Sequence, residues 1–323
     1  MIHSTTAVFL LAPILSALAQ DLSTDIVGCT EVDCPNNGDD ICNLADESFA
    51  GIGLARIADV PDSLDGISLV KGVHVEGSGD TDGDTDNGAE KSRPFRSVYY
   101  LGTPSGLDVN DLSGCAVVFN DPPTGHFDQP RINDTVDVDP RAAYGTCPDV
   151  IKQSCIDKLT EQASNVRLNG SSCSALESNL KNNTPDECSD LTGRGDGLGS
   201  FDVVSLGNLS TISGSANSSS ECWPVLPKSD NLAQLSVDTT MGNYTDQGNI
   251  AEMYKITPIL TVFTGGDGGL VNDTSAYLTC LKVVTTKNTD NTTDTPVDAA
   301  PLARGSMMGV SMAALATLMF VFL

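Results

Sequence analysis

The chain has 323 residues and is strongly acidic, with 43 aspartates and glutamates against 17 lysines and arginines, for a formal net charge of −26 at pH 7. Such a charge repels the phosphates of nucleic acids and of anionic lipid head groups, which argues against a protein that binds either of them. The roughly 270 residues between the two apolar ends are enough for one large β domain or two smaller domains.

The beginning of the chain has the features of a secretory signal peptide. Residues 7–15 are an apolar run, and Ala17, Leu18 and Ala19 form a small-residue cleavage motif. The segment before the run has no lysine or arginine, which is atypical. We predict that residues 1–19 are removed and that residues 20–284 form a secreted, cysteine-containing ectodomain.

Cysteines are spread over this ectodomain in an even number. The ten are Cys29, Cys34, Cys42, Cys115, Cys147, Cys155, Cys173, Cys188, Cys222 and Cys280. Behind a signal peptide, such a set predicts disulfide bonds formed in an oxidising compartment. A zinc site is the competing use of cysteines, but the sequence has no C-x₂-C pair.

Sequons for asparagine-linked glycosylation are also frequent. They lie at Asn133, Asn169, Asn182, Asn208, Asn217, Asn243, Asn272 and Asn291. A glycan needs an exposed asparagine, so we expect many of these side chains on the surface.

The first half of the ectodomain is predicted to be mainly strands. Residues 29–42 are rich in turn formers and predict a disulfide-stapled loop. Strands are predicted at 49–57, 67–75, 95–101 and 115–120. The 67–75 strand shows the best alternation, but Val70 and Lys71 interrupt it, which suggests a bulge or turn near Gly72. Residues 77–93 have one apolar side chain and predict a mobile loop.

The middle of the chain changes to a helical period. Thr146, Pro148 and Asp149 are typical of a helix start, and apolar residues then recur at helical spacing from Ile151 to Val166. A second short helix is predicted between residue 173 and Pro185. If the two form an antiparallel hairpin, Cys147 could pair with Cys188.

Strands return after this hairpin, at 201–209, 256–264 and 277–284, and residues 285–298 form a threonine-rich stalk. The pattern predicts a mainly β, disulfide-stabilised fold resembling a β-sandwich with an inserted helical hairpin. The alternative is two small disulfide-linked domains divided within residues 184–199.

The end of the chain predicts a lipid anchor. Small residues at Asp298, Ala299 and Ala300 are followed by a spacer and an uncharged apolar tail. This order is typical of a signal for glycosylphosphatidylinositol (GPI) attachment. We expect attachment at Asp298, with Ala303 as the alternative, and removal of residues 299–323. The competing interpretations are a true tail span, for which the tail is short, and a weak membrane association.

Together these features resemble those of fungal GPI-anchored cell-surface and cell-wall proteins. The segments at residues 258–263 and 278–283 are similar to ones in uncharacterised secreted proteins of filamentous fungi. The resemblance implies an extracellular location, at the plasma membrane or in the wall. It implies no particular activity, because such families include enzymes, adhesins and structural proteins.

Possible metal sites are few. Asp80, Asp82, Asp84 and Asp86 alternate as calcium ligands can, but the EF-hand spacing fails, so a solvated acidic loop is the preferred interpretation. The pairs His74 with Glu76 and His126 with Asp128 could together hold a metal, although ordinary surface histidines explain them as well. We predict no cofactor.

No nucleophile elbow, HExxH motif or P-loop is present. Glycoside hydrolysis or transglycosylation on wall polysaccharide remains the alternative function, because it needs only two carboxylates. For sugar binding, Tyr99 and Tyr100 would put one ring on each face of a strand, so that one ring could reach a ligand. Trp223 lies beside Cys222, where packing against a disulfide is its expected role. Arg194, Gly195 and Asp196 form a tripeptide that integrins recognise, but a match of three residues often arises by chance, which is the preferred interpretation. We predict a non-enzymatic surface glycoprotein, structural or adhesive, whose partners are wall polysaccharide or surface proteins.

Overall fold

The computed structural model describes residues 26, 28, 42–44, 47–75, 92–104, 106–125, 127, 145–168, 172–189, 191–192, 197–212, 231–243, 251–265 and 270–284. The predicted signal peptide, most of the first cysteine loop, the acidic loop, the stalk and the lipid-attachment segment lie outside these residues. Within the described part, no helix is long and apolar enough to cross a bilayer.

The described chain is mainly β, as predicted. Its strands are β1 Cys42–Leu44, β2 Glu47–Phe49, β3 Gly51–Arg56, β4 Ser68–Val75, β5 Ser92–Gly102, β6 Gly114–Phe119, β7 Phe201–Ser205, β8 Leu232–Asn243, β9 Thr257–Phe263 and β10 Ser275–Leu281. A first antiparallel sheet has the order β3-β4-β5-β8, and a second has the order β10-β9-β6-β7. The short strands β1 and β2 form a separate antiparallel pair.

The second sheet is covered on both faces. On one face, the Thr257 side chain of β9 meets Tyr99 of the first sheet. On the other, Cys115 of β6 and Cys280 of β10 form disulfide bonds with the helical region. Burial from two sides explains why β6 and β9 are buried along their whole length and read as continuous apolar runs.

Tyr99 lies on the face of the first sheet that meets the second sheet, and β2 packs on the opposite face. The Phe49 ring packs on Gly72, where an added Cβ would come within 2.7 Å of the ring, and lies edge-on to Tyr100 with ring centroids 6.3 Å apart. Strand β4 pairs with β3 and β5 in continuous register, so the bulge expected near Gly72 is wrong. Val70 interrupts the sequence pattern because both faces of β4 are buried, and Lys71 interrupts it because a lysine occupies one of the inward positions. The irregularity lies instead between Tyr99 and Tyr100, in the β5–β8 pair.

The two edges of the first sheet each meet a segment that follows an edge strand of the second. Ile52 of β3 pairs with Val284, just after β10, and the Val284 N–H donates to the Ile52 carbonyl at 3.0 Å. Ala233 of β8 pairs with Thr211, after β7. Each sheet therefore contains strands from before residues 184–199 and strands from after them, which argues against the two-domain alternative.

The helical region contains α1 Cys147–Val150, α2 Gln153–Ser164 and α3 Ser174–Asn182. The predicted helix start is confirmed, since the Asp149 carboxylate accepts from the Thr146 N–H at 2.6 Å and from its hydroxyl at 3.0 Å. The predicted first helix is nevertheless interrupted, because Ile151 has extended backbone angles. This break allows the adjacent Val150 and Ile151 both to be buried.

Three disulfide bonds lie among the described residues, which confirms the prediction of disulfide pairing for these six cysteines. They join Cys115 to Cys173, Cys147 to Cys280 and Cys155 to Cys188, with Cα–Cα distances of 5.9, 5.1 and 4.8 Å.

The expected pair of Cys147 and Cys188 is wrong. The break at Ile151 separates Cys147 from α2 and leaves it against β10, where it bonds to Cys280. Cys155 lies in the first turn of α2, and the chain returns to that end after α3, bringing Cys188 to it.

Candidate functional site: a buried lysine cluster between the sheets

Lys71 is the most unusual polar residue of the described chain. It lies in the middle of β4, on the face that also carries the buried Leu69 and Val73, and its side chain is completely buried. Its neighbours across the ladder are Gly53 of β3 and Tyr99 of β5. Because paired residues point to the same face, these three positions form one row directed at the second sheet.

The Lys71 ammonium is held by the start of β9. It donates to the backbone carbonyl oxygen of Lys255 at 2.7 Å and to the Thr257 hydroxyl at 3.0 Å. The same hydroxyl hydrogen-bonds the Tyr99 hydroxyl at 3.1 Å. The Lys71 nitrogen also lies 5.9 Å from the centroid of the Tyr99 ring, within range of a cation–π attraction. Polar groups from both sheets thus satisfy one another in the interior.

Two further lysines surround this centre. The Lys255 side chain, 6% exposed, forms an ion pair with Asp238 of β8 at 2.8 Å. Lys282 is buried, with its nitrogen 5.8 Å from the centroid of the Tyr254 ring. The Lys282 backbone presses on Gly53, where an ideal Cβ would come within 1.8 Å of the Lys282 carbonyl oxygen. A side chain at position 53 would therefore push the two sheets apart.

The outer part of the cluster lies between β7 and β8. Asp202 of β7 accepts from the Asn120 side-chain amide at 3.3 Å and from the Ser236 hydroxyl at 3.4 Å. Lys255 also donates to the Asn120 carbonyl at 3.4 Å, so the Asp202 and Asp238 carboxylates are linked through Asn120 and Lys255. This part is the more accessible one, because Asp202 is exposed and Asp238 is partly exposed.

Burial and neighbouring charges shift two of these groups. Burial lowers the pKa of Lys71 well below its ordinary value, and the nearby Lys255 ammonium lowers it further, against the opposing carboxylates of Asp238 and Glu252. Burial also raises the pKa of Tyr99, which therefore keeps its proton. A lysine with a lowered pKa is the kind of group that acts as a nucleophile or base in enzymes.

The surroundings of Lys71 favour a structural role over a chemical one. Its side chain is fully buried, and its ammonium is occupied by two acceptors of the protein. A substrate carbonyl would have to replace both bonds and separate the sheets. The cluster therefore acts as a polar tie between β4, β5 and β9.

Several predicted site residues lie elsewhere or outside the described residues. His74 shares a hydrogen bond with the Ser48 carbonyl at 3.0 Å. Among described residues, no three histidine, cysteine or carboxylate side chains are grouped so as to hold a metal ion. The remaining predicted candidates fall outside the described chain: Cys29, Cys34, Glu76, Asp80, Asp82, Asp84, Asp86, His126, Asp128, Arg194, Gly195, Asp196, Cys222, Trp223, Asp298 and Ala303.

Tyr99 and Tyr100 do lie on opposite faces of β5, as predicted, but both are buried. The suggestion that one ring could reach a ligand is therefore wrong, since Tyr99 faces the lysine cluster and Tyr100 faces Phe49. The side chains of three sequon asparagines are exposed, at Asn182, Asn208 and Asn272. Asn243 lies in β8, and Asn133, Asn169, Asn217 and Asn291 lie outside the described residues.

Sequence reasoning missed the lysine cluster. A signal was present, because Lys71 occupies the inward position in the series Ile67, Leu69, Lys71, Val73 and Val75. Comparison of the chain with protein-family models, with curated proteins and with solved structures gives no match.

Proposed function

We propose that the protein is a secreted glycoprotein of the fungal cell surface or wall, held there by a GPI anchor, with a structural or adhesive role and no catalytic activity. The disulfide network is the observation that supports this proposal best. Each of its three bonds joins segments distant in sequence, with separations of 58, 133 and 33 residues. Bonds of this kind persist in oxidising compartments outside the cytosol.

The exposed sequons give independent support. The side chains of Asn182, Asn208 and Asn272 are accessible, so an oligosaccharide transferase could modify all three without disturbing the core. Asn182 ends α3, Asn208 follows β7 and Asn272 precedes β10. Glycans at these positions would extend from separate parts of the chain, as expected of a hydrated protein in a wall.

We further propose that the two four-stranded sheets form a β-sandwich, which is the part of the protein exposed at the cell surface. Hydrogen bonds of Lys71 and Tyr99 to Thr257, together with the close approach of Gly53 to Lys282, join the facing sides of the two sheets. The shared core contains residues of both sheets and of the helices. A scaffold of this kind, tied by hydrogen bonds and disulfides, suits a protein that must persist outside the cell.

A polysaccharide assay tests the non-enzymatic role. The purified protein is mixed with insoluble β-glucan, chitin and mannan, and both co-sedimentation and released or transferred sugar are measured. Binding without turnover supports an adhesive role, and neither binding nor turnover supports a structural role with protein partners. Turnover of any of the three polysaccharides contradicts the proposal.

The alternative, a carbohydrate-active enzyme, has one observation in its favour. Asp202 and Asp238 are linked through Asn120 and Lys255 at the accessible seam between β7 and β8, and glycoside hydrolysis needs two carboxylates near each other. If sugar is released, Asp202→Asn and Asp238→Asn should each abolish the release. Asp157→Asn, at an exposed position on α2, is the matched control and should leave it unchanged.

A further inference from the structure

Strand β10 is the last strand of the described chain, so a force applied from the C-terminal side reaches it before the other strands. It is an edge strand of the second sheet, paired within the described chain to β9. Its last residue, Leu281, lies opposite Thr257, the first residue of β9. In a chain without disulfides, tension arriving from beyond Val284 would break the Val284–Ile52 bond first and then open the β10–β9 ladder one hydrogen bond at a time. In that geometry the hydrogen bonds of the ladder are loaded one after another and not together.

The Cys147–Cys280 disulfide lies where this unzipping would begin. Cys280 is the penultimate residue of β10, and its partner Cys147 opens α1; both are buried. We propose that this bond and Cys115–Cys173 form a covalent bypass, which carries tension from the anchor past most of the fold. This proposal rests on the proposed function, because the GPI anchor is what would apply force to the C-terminal end of the protein on a cell.

The bypass follows from the connectivity of the two bonds. Tension entering at Cys280 crosses to Cys147, follows the chain to Cys173 and crosses to Cys115. About 26 residues lie on that route, whereas about 165 residues separate Cys115 from Cys280 along the chain. Strands β7, β8 and β9 and nearly all of β10 are therefore off the loaded path. On the C-terminal side of this route, only the residues after Cys280 are loaded directly.

An optical-trap measurement on the full chain tests the bypass. One handle is attached at the C-terminal end and the other at the exposed turn at Gly106, where open space surrounds the residue. The contour length released on unfolding is compared between the wild type and the double variant Cys147→Ser with Cys280→Ser. The variant should release about 80 residues more, or roughly 270 Å, because its shortest route runs from Cys173 forward to residue 280.

The double variant Cys155→Ser with Cys188→Ser is the matched control. That disulfide offers a route of nearly the same length, so its loss should change the released length by only a few residues. Should the first variant fail to fold, wild-type protein unfolded in the trap and exposed to a thiol reductant should lengthen by a step of at least about 270 Å.

Equal released lengths for the wild type and the first variant, or no such step on reduction, would overturn the bypass. The trap needs no lipid anchor. If the trap gives the expected lengths but the protein made by cells carries no lipid anchor, the proposed function fails and the bypass stands.

Discussion

The Lys71 ammonium donates a 2.7 Å hydrogen bond to the backbone carbonyl oxygen of Lys255, so the side chain of one buried lysine binds the backbone of a second buried lysine. Lys255 itself points to Asp238 of β8. The start of β9 is thereby fixed to β4 on one side and to β8 on the other. These contacts explain how the buried side chains of Lys71 and Lys255 are both satisfied.

Lys71→Met should change the pH dependence of stability. Because the folded pKa of Lys71 is lowered, the unfolded chain binds a proton that the folded chain lacks between that pKa and about 10.4. Wild-type stability should therefore rise with pH across this window relative to the variant, by at most about 1.4 kcal/mol per pH unit. Urea unfolding between pH 6 and pH 9.5 measures the difference.

Lys158→Met provides the control for that experiment. Lys158 is exposed on α2, and its hydrogen bond to Glu161 raises the pKa of its ammonium, so it stays charged throughout this pH range. Its variant should show no slope relative to the wild type. A flat or falling difference between the wild type and Lys71→Met would mean that Lys71 is not held by burial as described.

Gly53→Ala should separate the sheets. The new Cβ would lie 1.8 Å from the Lys282 carbonyl oxygen, a backbone atom that cannot rotate away, and we expect a loss of about 3 kcal/mol or more in the free energy of unfolding. Gly106→Ala, which meets no atom within 4 Å, should cost only about 1 kcal/mol through its positive φ. Similar losses for both variants would contradict the close packing at Gly53.

Much of the fold can be predicted from local patterns. The capping residues Thr146 and Asp149, the helical spacing that follows and the alternation around Leu69 all describe elements that form. These signals are local, so a single segment contains them. Strand β8 was not predicted, because much of it is polar and it lies at a sheet edge with exposed residues such as Met241.

The partners of particular side chains could not be predicted. Lys71 has the appearance of a surface residue in the sequence, and only the arrival of Lys255 and Thr257 from residues far along the chain makes its burial possible. The partner of Cys147 depended likewise on the break at Ile151. Long-range contacts decide which partners these side chains meet, whereas the strand period of the sequence gives only the face on which Lys71 lies.

Replacing the Cys155–Cys188 disulfide by two serines should lower the free energy of unfolding by about 3 kcal/mol, because the unfolded chain regains the freedom of the closed loop. Denaturant unfolding under non-reducing conditions measures this. The control is the same comparison after full reduction, which opens all the disulfides and should remove most of the difference between the wild type and the variant. Equal stability of the two proteins under non-reducing conditions would contradict a stabilising role for the bond.

Asn182, Asn208 and Asn272 should carry glycans in the protein secreted by a eukaryotic cell. Each is exposed and followed by the required serine or threonine, so each of the variants Asn182→Gln, Asn208→Gln and Asn272→Gln should lose the mass of one glycan. Mass spectrometry before and after enzymatic deglycosylation measures occupancy. Unmodified asparagine at all three positions would argue against passage through the secretory route.

Release of the protein from intact cells by a phosphatidylinositol-specific phospholipase tests the central claim most directly. The cells express the full chain, and detergent–water partition follows the product. We predict that the enzyme moves the protein from the detergent phase to the aqueous phase, with its C-terminal end modified at Asp298 or Ala303. Protein that retains residues 299–323 and stays in the detergent phase, or that never reaches the surface, would contradict the account.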